Sequence, residues 1–445
     1  MAEQILYRHL PGICVYPSQQ RKVRLLGFPM PPGYNGRAVT GDRATQECDL
    51  STVAVPNGTG RRRLGGAPTL LYMCWGLQRD KLPPRQRRNW LDALRLLIHS
   101  ARKDYEHWLE VYCAMIEKRT VFILGAGASC PYGLPTANEL RCDIIRNFRT
   151  RYGDHCVTHR ETEKERTARG YPTISDAIAF LSVFDGPNNM ESVDLFLSRQ
   201  PRFREVGKLA ILLSILHHER ESRFAHNMKE PGRDWYSLLY DRMTRESTGK
   251  DSYKELARNQ VAFITFNYDR SLEHFLFRSL HSFEDATPEN VKEQIDQIMI
   301  SHVYGKLSLL PWQDNDTSKV LGYGDDASES YGRLPSVIQN LYVVHEERTN
   351  PELEKARTTI SEAERIFFLG FGYADENLKV LGIPATLKPT QLVYGTTMGF
   401  TEKERKDMQL RLADGLRHPQ KPNEDARGKV HLKDCDSVAL LREFL

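Results

Sequence analysis

Paired cysteines are missing from this sequence of 445 residues. Its eight cysteines are scattered singly, and no two of them form a C-x-x-C unit. Structural zinc sites use such pairs, so the cysteine pattern offers no metal-ligand spacing. Scattered single cysteines are typical of thiols that stay reduced inside a cell. We therefore predict a cytoplasmic protein without a metal site.

Long apolar runs and an excess of one charge are also missing. The longest apolar stretch, around Leu209–Leu216, is broken by Ser214 and fits a buried helix better than a membrane span. The first residues lack the basic-then-apolar form of a signal peptide. The chain has 62 basic and 58 acidic residues, a formal net charge of +4. We therefore expect no membrane insertion and no direct nucleic-acid binding.

The beginning of the chain differs from the rest. Met1–Pro84 is rich in Gly, Pro and Arg and has little periodicity, whereas apolar residues of Gln86–Cys113 fall on one helical face. We predict an N-terminal extension, residues 1–114, that is largely irregular and carries one amphipathic helix. Alternatively, Met115 is the true start, because it stands just before the first predicted strand. The sequence leaves both interpretations open.

Residues 115–445 carry the pattern of an α/β domain. Four short apolar segments are rich in strand formers and end in turn residues: Thr120–Leu124, Val261–Phe266, Arg365–Leu369 and Gln391–Tyr394. Continuous apolar strands that alternate with helices indicate a parallel sheet covered on both faces. We predict a Rossmann-like sheet of this kind. A helical insertion at about 141–260 is expected to form a layer or lid over the carboxyl edge of the sheet.

A glycine turn follows the first predicted strand. Backbone amides of Gly125 and Gly127 can approach a pyrophosphate there, and a helix pattern from Thr136 onward would add a positive dipole. The third glycine of the dinucleotide fingerprint is absent, and Cys130 stands in its place. This departure argues against a dehydrogenase. A G-x-G turn alone also occurs in proteins that bind no nucleotide.

Several short motifs follow one another in an order that resembles the sirtuin family. They are Gly125-Ala126-Gly127-Ala128-Ser129, Gly133-Leu134-Pro135-Thr136, Asn267-Tyr268-Asp269, His302-Val303-Tyr304-Gly305 and Gly370-Phe371-Gly372-Tyr373-Ala374-Asp375-Glu376-Asn377. The first two resemble the family's phosphate-and-ribose loop, the third its N-x-D, and the fourth its catalytic histidine segment. The last resembles the late glycine loop of a bacterial sirtuin-like branch. The resemblance covers roughly residues 117–445.

The resemblance implies roles for individual residues. Asn267 and His302 would be catalytic, with Asn267 orienting a water or ribose hydroxyl and His302 acting as general base. Asp269 would hydrogen-bond the nicotinamide side of NAD or fix Asn267. Ser129 would lie at a helix N-terminus beside a phosphate or ribose oxygen. The other implied NAD-binding residues are Gly125, Ala126, Gly127, Pro135, Thr136, Gly305, Gly370, Gly372, Asp375 and Asn377.

Two departures separate this chain from the deacylases of that family. Deacylases hold a structural zinc on paired cysteines after the histidine, and residues 306–345 contain no cysteine. Deacylases also continue the first loop with an acidic residue, a Phe and an Arg, where this chain has Thr136-Ala137-Asn138. Both departures favour the branch that hydrolyses NAD and resembles bacterial anti-phage effectors. The implied function is a zinc-independent NAD glycohydrolase, with NAD as substrate and nicotinamide and ADP-ribose as products.

Other functions stay open. The chain could be a deacylase or ADP-ribosyl transferase, or a sensor of NAD or ADP-ribose without turnover, although a pure sensor needs neither Asn267 nor His302. Because a whole cell shares its NAD, a hydrolase would need to be conditional. The resemblance implies a homo-oligomer or a partner such as a hexameric motor ATPase of the HerA class. A simpler interpretation also remains, in which Asn267-Tyr268-Asp269 ends a strand and caps the next helix.

Overall fold

The computed structural model describes residues 115–186, 192–224, 234–244, 256–343, 351–418, 420 and 425–445, and three strands nearer the N-terminus. The chain divides into two compact units, Met1–His99 and Ser100–Leu445. The strands of the first unit form an antiparallel sheet in the order β1-β2-β3. They are β1 (Ile13–Cys14), β2 (Lys22–Leu26) and β3 (Thr45–Asp49). The helix predicted at 86–113 lies outside the described residues, and so does the chain that immediately precedes Met115.

The second unit is built on a six-stranded sheet in which every neighbouring pair of strands is parallel. Its strands are β4 (Thr120–Leu124), β5 (Val261–Thr265), β6 (Met299–His302), β7 (Arg365–Leu369), β8 (Leu392–Thr396) and β9 (Val430–Lys433). Their spatial order is β6-β5-β4-β7-β8-β9. This is the strand order of the dinucleotide-binding Rossmann fold. The predicted α/β fold is confirmed.

The strands that the sequence did not predict are the two edges of the sheet. In β6, Met299 and Ile300 are partly exposed, and in β9 exposed positions alternate with buried ones. The four predicted strands are the central ones, and they are mostly buried along their length. Edge strands are solvated along one side, so they lack the continuous apolar pattern on which the prediction depended.

The described α-helices follow in chain order. They are α1 (Ala137–His159), α2 (Glu163–Ala168), α3 (Ile174–Phe184), α4 (Val193–Arg199), α5 (Arg204–Glu221), α6 (Trp235–Thr244), α7 (Ser271–His281), α8 (Pro288–Asp296), α9 (Leu334–Val337), α10 (Glu352–Glu362), α11 (Asp375–Val380), α12 (Glu402–Gly415) and α13 (Ser437–Phe444). Capping boxes begin α1, α2, α3 and α12, and each fixes the first turn of its helix. Within the part of the chain that is described, none of the helices combines the length and apolar composition that a membrane crossing requires.

Two hydrophobic clusters cover the two faces of the sheet. Val121 and Ile123 of β4 pack in one cluster with α1, α3, α4, α5, α10, α11 and α12. Phe122 and Leu124, which point the other way, pack in a second cluster with α6, α7, α8 and α13. The connections between parallel strands are right-handed crossovers. From the central strand they lead to both edges of the sheet, and crossovers that run in opposite directions lie on opposite faces. The predicted helices on both faces are therefore present.

Most helices of the insertion form a layer on one face of the sheet, whereas α6 packs in the cluster on the other face. Leu140 and Ile144 of α1 and the apolar run of α5 belong to the same cluster as Val121 of β4. The end of α5 reaches the carboxyl edge, where Glu219 pairs with Arg270 just beyond β5. The larger part of the insertion thus covers one face of the sheet, and the C-terminal end of α5 touches the carboxyl edge.

Candidate active site

Two glycine loops meet at the centre of the carboxyl edge, where the strand order reverses. The N–H of Gly125 donates to Leu369 O at 3.0 Å, and the N–H of Gly127 donates to Gly370 O at 3.0 Å. Gly370 has φ +54°, and a Cβ there would lie 2.0 Å from Ala128 N. These glycines therefore allow two backbones to approach closely. Both amides that the sequence assigned to a pyrophosphate donate to protein carbonyls in this structure.

The α-helix begins after Thr136, as predicted, so it does not follow the glycine turn directly. Two short 3-10 turns come first, Ala126–Ala128 and Cys130–Tyr132, with Ser129 between them. Ser129 therefore stands before a 3-10 turn and not at an α-helix N-terminus. After the buried Pro135, Thr136 caps α1.

The end of α1 is already satisfied by its own residues. The Thr136 side chain accepts from the Glu139 N–H at 3.2 Å, and the Glu139 carboxylate accepts from the Thr136 N–H at 2.8 Å. The Glu139 carboxylate also brings a negative charge to the positive end of the helix dipole. The start of α1 consequently binds its own side chains, and Thr136 acts as a cap.

Asn267 is a buried polar side chain held in one orientation. Its Nδ2 donates to Gly125 O at 3.0 Å and to Ser129 Oγ at 2.9 Å, so the orientation of the carboxamide is determined. The residue is 9% exposed, and its Oδ1 has no hydrogen-bond partner among the described residues. An unpaired buried acceptor is costly, and a donor placed beside it gains the full hydrogen bond. Asn267 Oδ1 is therefore an acceptor that suits a hydroxyl or a water.

His302 connects the Asn267 backbone to a carboxylate that the sequence analysis did not identify. Its Nδ1 lies 2.9 Å from Asn267 O, and its Nε2 lies 3.0 Å from Glu273 Oε1. Lys306 Nζ binds the same Glu273 oxygen at 3.1 Å. Burial opposes ionisation of Glu273, but Lys306 and His302 outweigh it and hold the pKa of that carboxyl well below its usual range.

Asp269 binds the first turn of α7. Its Oδ1 accepts from the Ser271 N–H at 3.0 Å and from the Ser271 hydroxyl. Burial raises the pKa of Asp269 despite these bonds and the nearby His302. Asp269 also hydrogen-bonds to the side chain of Ser129, which accepts from Asn267 Nδ2, so Asp269 supports both the helix start and a partner of Asn267.

A buried ion pair anchors the same loop. Arg270, which is fully buried, makes a two-pronged contact with the buried Glu219 carboxylate and also donates to Ser308 Oγ and Leu321 O. Neither Arg270 nor Glu273 was predicted from the sequence. The sequence did contain a signal for them. A helix that begins soon after N-x-D places the charged residues of its first turn close to the end of the preceding strand.

The remaining predicted residues lie in loops and at a helix start of the carboxyl edge. Gly305 has φ +72°, and a Cβ there would lie 1.8 Å from Asn340 O, so it is needed for a close turn. Asn377 Oδ1 accepts from the hydroxyl of Tyr304 at 2.8 Å. Asp375 begins α11 and pairs with Arg411 on the surface. Gly372 is exposed, with no atom near a Cβ placed on it.

The structure thus brings together Gly125, Ser129, Asn267, Asp269 and His302, and adds Glu273, Lys306 and Arg270. Among the described residues, no group of three or more His, Cys, Asp or Glu side chains is arranged to hold a metal ion. No protein-family model matches the chain, and no curated protein matches it either. The motifs and this geometry are consequently the basis on which a function can be proposed.

Proposed function

We propose that this chain cleaves NAD at the bond between nicotinamide and ribose, releasing nicotinamide and ADP-ribose. The observation that carries the proposal is the Asn267 carboxamide, held by Ser129 and Gly125 with its Oδ1 left as an acceptor. It lies beside the glycine loops at the reversal of strand order, where Rossmann-type sheets bind nucleotides. The order of the sirtuin-like motifs supports NAD as that nucleotide.

The proposed chemistry needs few groups. The nicotinamide leaves with the electron pair of the C–N bond, which neutralises its ring and gives the ribose oxocarbenium character. Asn267 Oδ1 accepts a hydrogen bond from the attacking water or from a ribose hydroxyl and so holds it in place. The water then bonds to the ribose carbon and gives up a proton. His302 is the proposed acceptor of that proton.

We further propose that the activity is conditional. Ser129, Asn267, Asp269 and His302 are between 2% and 9% exposed, so a ligand as large as NAD enters only if the loops at the carboxyl edge separate. A closed resting site fits the role of an NAD-depleting effector in anti-phage defence. Self-assembly or a partner, for which the resemblance offers a HerA-class hexameric ATPase, would supply the opening.

A specific observation favours one alternative, a sensor that binds NAD or ADP-ribose without turnover. Both nitrogens of His302 are engaged, one with the Asn267 carbonyl and one with Glu273, so the general base is occupied in this arrangement. A sensor would keep the closed geometry throughout. A hydrolase would have to release one of these bonds.

Product analysis separates these functions. The full chain is incubated with NAD over a wide range of protein concentration, and nicotinamide and ADP-ribose are quantified by chromatography. We expect both products, and we expect Asn267→Ala to slow their release by about a hundredfold or more because the nucleophile loses its position. Asn315→Ala, in an exposed turn, is the matched control and should leave the rate unchanged. NAD binding without products would favour the sensor, and no binding at all would contradict both functions.

A further inference from the structure

Glu273 is buried in the first turn of α7, behind the two catalytic candidates. Its side chain is 2% exposed, and two donors, His302 Nε2 and Lys306 Nζ, share its single oxygen Oε1. Its other oxygen, Oε2, is buried and has no hydrogen-bond partner among the described residues. A buried carboxylate is costly unless it is paired, so the fold keeps this charge only because cations face it.

The hydrogen bonds of His302 define which form of the ring fits this place. A neutral imidazole carries one N–H and one lone pair, whereas the imidazolium carries two N–H groups. Here Nδ1 faces the carbonyl oxygen of Asn267 and Nε2 faces a carboxylate oxygen of Glu273, and both are acceptors. The two bonds form together only when each nitrogen carries a proton.

The charges around the ring agree with this form. Two carboxyl groups face it, Glu273 from α7 and Asp269 from the loop before α7, and one ammonium, Lys306, binds the same Glu273 oxygen as the ring. Lys306 and His302 keep the pKa of Glu273 low, so Glu273 accepts both bonds as a carboxylate. The anionic carboxylate in turn stabilises a positive ring.

We propose that Glu273 is a positioning residue that holds His302 as an imidazolium, and that loss of the Glu273–His302 bond is what frees Nε2 to act as a base. The positive ring also donates a hydrogen bond to the backbone carbonyl of Asn267, which keeps the carboxamide of Asn267 positioned to bond to Ser129. Movement of α7 away from β6 would break the Glu273 bond. The ring would then release one proton to solvent and present a lone pair. The role of His302 as a base rests on the proposed function, whereas the protonation state of His302 does not.

Nitrogen NMR of the histidine rings tests the protonation state without any turnover. His302→Gln identifies the signals of His302 by their loss from the spectrum of the full chain. In the wild type we expect both ring nitrogens of His302 to be protonated at neutral pH. In Glu273→Gln the charge is removed while an acceptor oxygen remains, and one nitrogen should lose its proton. Glu293→Gln, the same change at an exposed site on α8, should leave the signals unchanged.

A second variant covers the case in which Glu273→Gln fails to fold. Lys306→Met removes the ammonium that competes for Glu273 Oε1 and repels a positive ring, so the ring should keep both protons to higher pH than in the wild type. The two substitutions therefore act in opposite directions. A wild-type ring with a single proton at neutral pH would overturn the proposal, and so would a ring that responds to neither variant.

Activity provides the second readout. If His302 becomes a base only after it loses a proton, the acidic limb of the kcat profile should move to lower pH in Glu273→Gln and to higher pH in Lys306→Met. The KM for NAD should change less than kcat, because neither Glu273 nor Lys306 contacts the Asn267 carboxamide. An unchanged profile in both variants would contradict the link between Glu273 and the base. If the wild type cleaves no NAD at any pH, the proposed function fails, and the ring nitrogens alone decide the role of Glu273.

Discussion

The carboxyl edge of the sheet has two halves whose sequence motifs resemble those of one family, but the halves are built differently. In the half that follows β4, β5 and β6, the polar residues Ser129, Asn267 and His302 are buried and bond to one another or to neighbouring backbone. In the half that follows β7 and β8, Gly372 and Asp375 are exposed, and Asp375 is paired with a surface arginine. A motif match therefore did not distinguish a buried polar network from an ordinary helix start.

The two halves differ in the kind of polar group that they bury. Burying a polar group without a partner costs free energy, and both halves contain such atoms: Asn267 Oδ1 and Glu273 Oε2 are among those of the first half, and the hydroxyls of Tyr373 and Thr397 lie in the second. In the first half these atoms adjoin the buried ionisable pair of Glu273 and His302, whereas the helix start in the second half is met by a surface ion pair that contributes little. We therefore assign the proposed chemistry to the first half and expect the second half to provide shape. Three comparisons test this division.

The largest expected effect concerns Gly370, which joins the halves. An Ala there would need φ near +54° and would place its Cβ 2.0 Å from Ala128 N, a backbone atom that cannot yield. We expect Gly370→Ala to lower the free energy of unfolding by about 3 kcal/mol or more, through strain and overlap. Gly372→Ala has open space around its Cβ and should stay within about 0.5 kcal/mol of the wild type.

Denaturant titration of the two glycine variants measures this difference. Equal midpoints for Gly370→Ala and Gly372→Ala would show that the two loops do not pack as described. They would also remove the physical reason for placing both halves around one site.

The second comparison concerns two aspartates that respond to pH with opposite sign. Burial raises the pKa of Asp269, so between the usual and the raised value the folded chain binds more protons than the unfolded chain, and stability falls as pH rises. Asp269→Asn keeps an acceptor for the Ser271 N–H and removes the buried charge. It should be more stable than the wild type at neutral pH, and the gain should vanish in acid.

The hydrogen bond and charge of Arg411 lower the pKa of Asp375, so this residue stabilises the fold above its unfolded pKa and loses that effect as pH falls. Asp375→Asn should therefore be slightly less stable than the wild type at neutral pH, and the loss should vanish in acid. Unfolding midpoints of both variants from acid to neutral pH check the signs. Two variants that shift in the same direction would contradict the division into a buried and an exposed half.

The sequence predicted the central part of the sheet because its strands are buried on both faces and read as continuous apolar runs. Strand β4 was predicted with its bounds unchanged, and β5 and β8 differed by one or two residues at their ends. The edge strands β6 and β9 were missed because their exposed positions hide the pattern. His302 was nonetheless identified, through its motif, at the end of the missed strand β6.

The polar network was less predictable than the fold. Asn267 and His302 were named from motifs, but their partners depend on distances across the sheet that no local pattern contains. Glu273 lies 29 positions from His302 in sequence, and Ser129 lies 138 positions from Asn267. The glycines were expected to expose amides to a ligand, and the packing of the loop after β7 against them could not be inferred from the G-x-G turn.

The smallest expected effect decides whether Thr136 belongs to the site or only to its helix. Thr136 and Thr401 begin α1 and α12 with the same capping box, and the threonine N–H to glutamate distance is 2.8 Å in both. Loss of either cap by substitution with Ala should cost about 1 kcal/mol of unfolding free energy. Because the Thr136 hydroxyl is already bound to Glu139, we expect Thr136→Ala and Thr401→Ala to behave alike, with the KM for NAD, or its Kd if turnover is absent, unchanged in both. Parallel unfolding curves and calorimetric titrations with NAD measure the two quantities on the same preparations. Weaker NAD binding in Thr136→Ala alone would show that the ligand recruits Thr136 away from its cap, and the site would then extend to the first turn of α1.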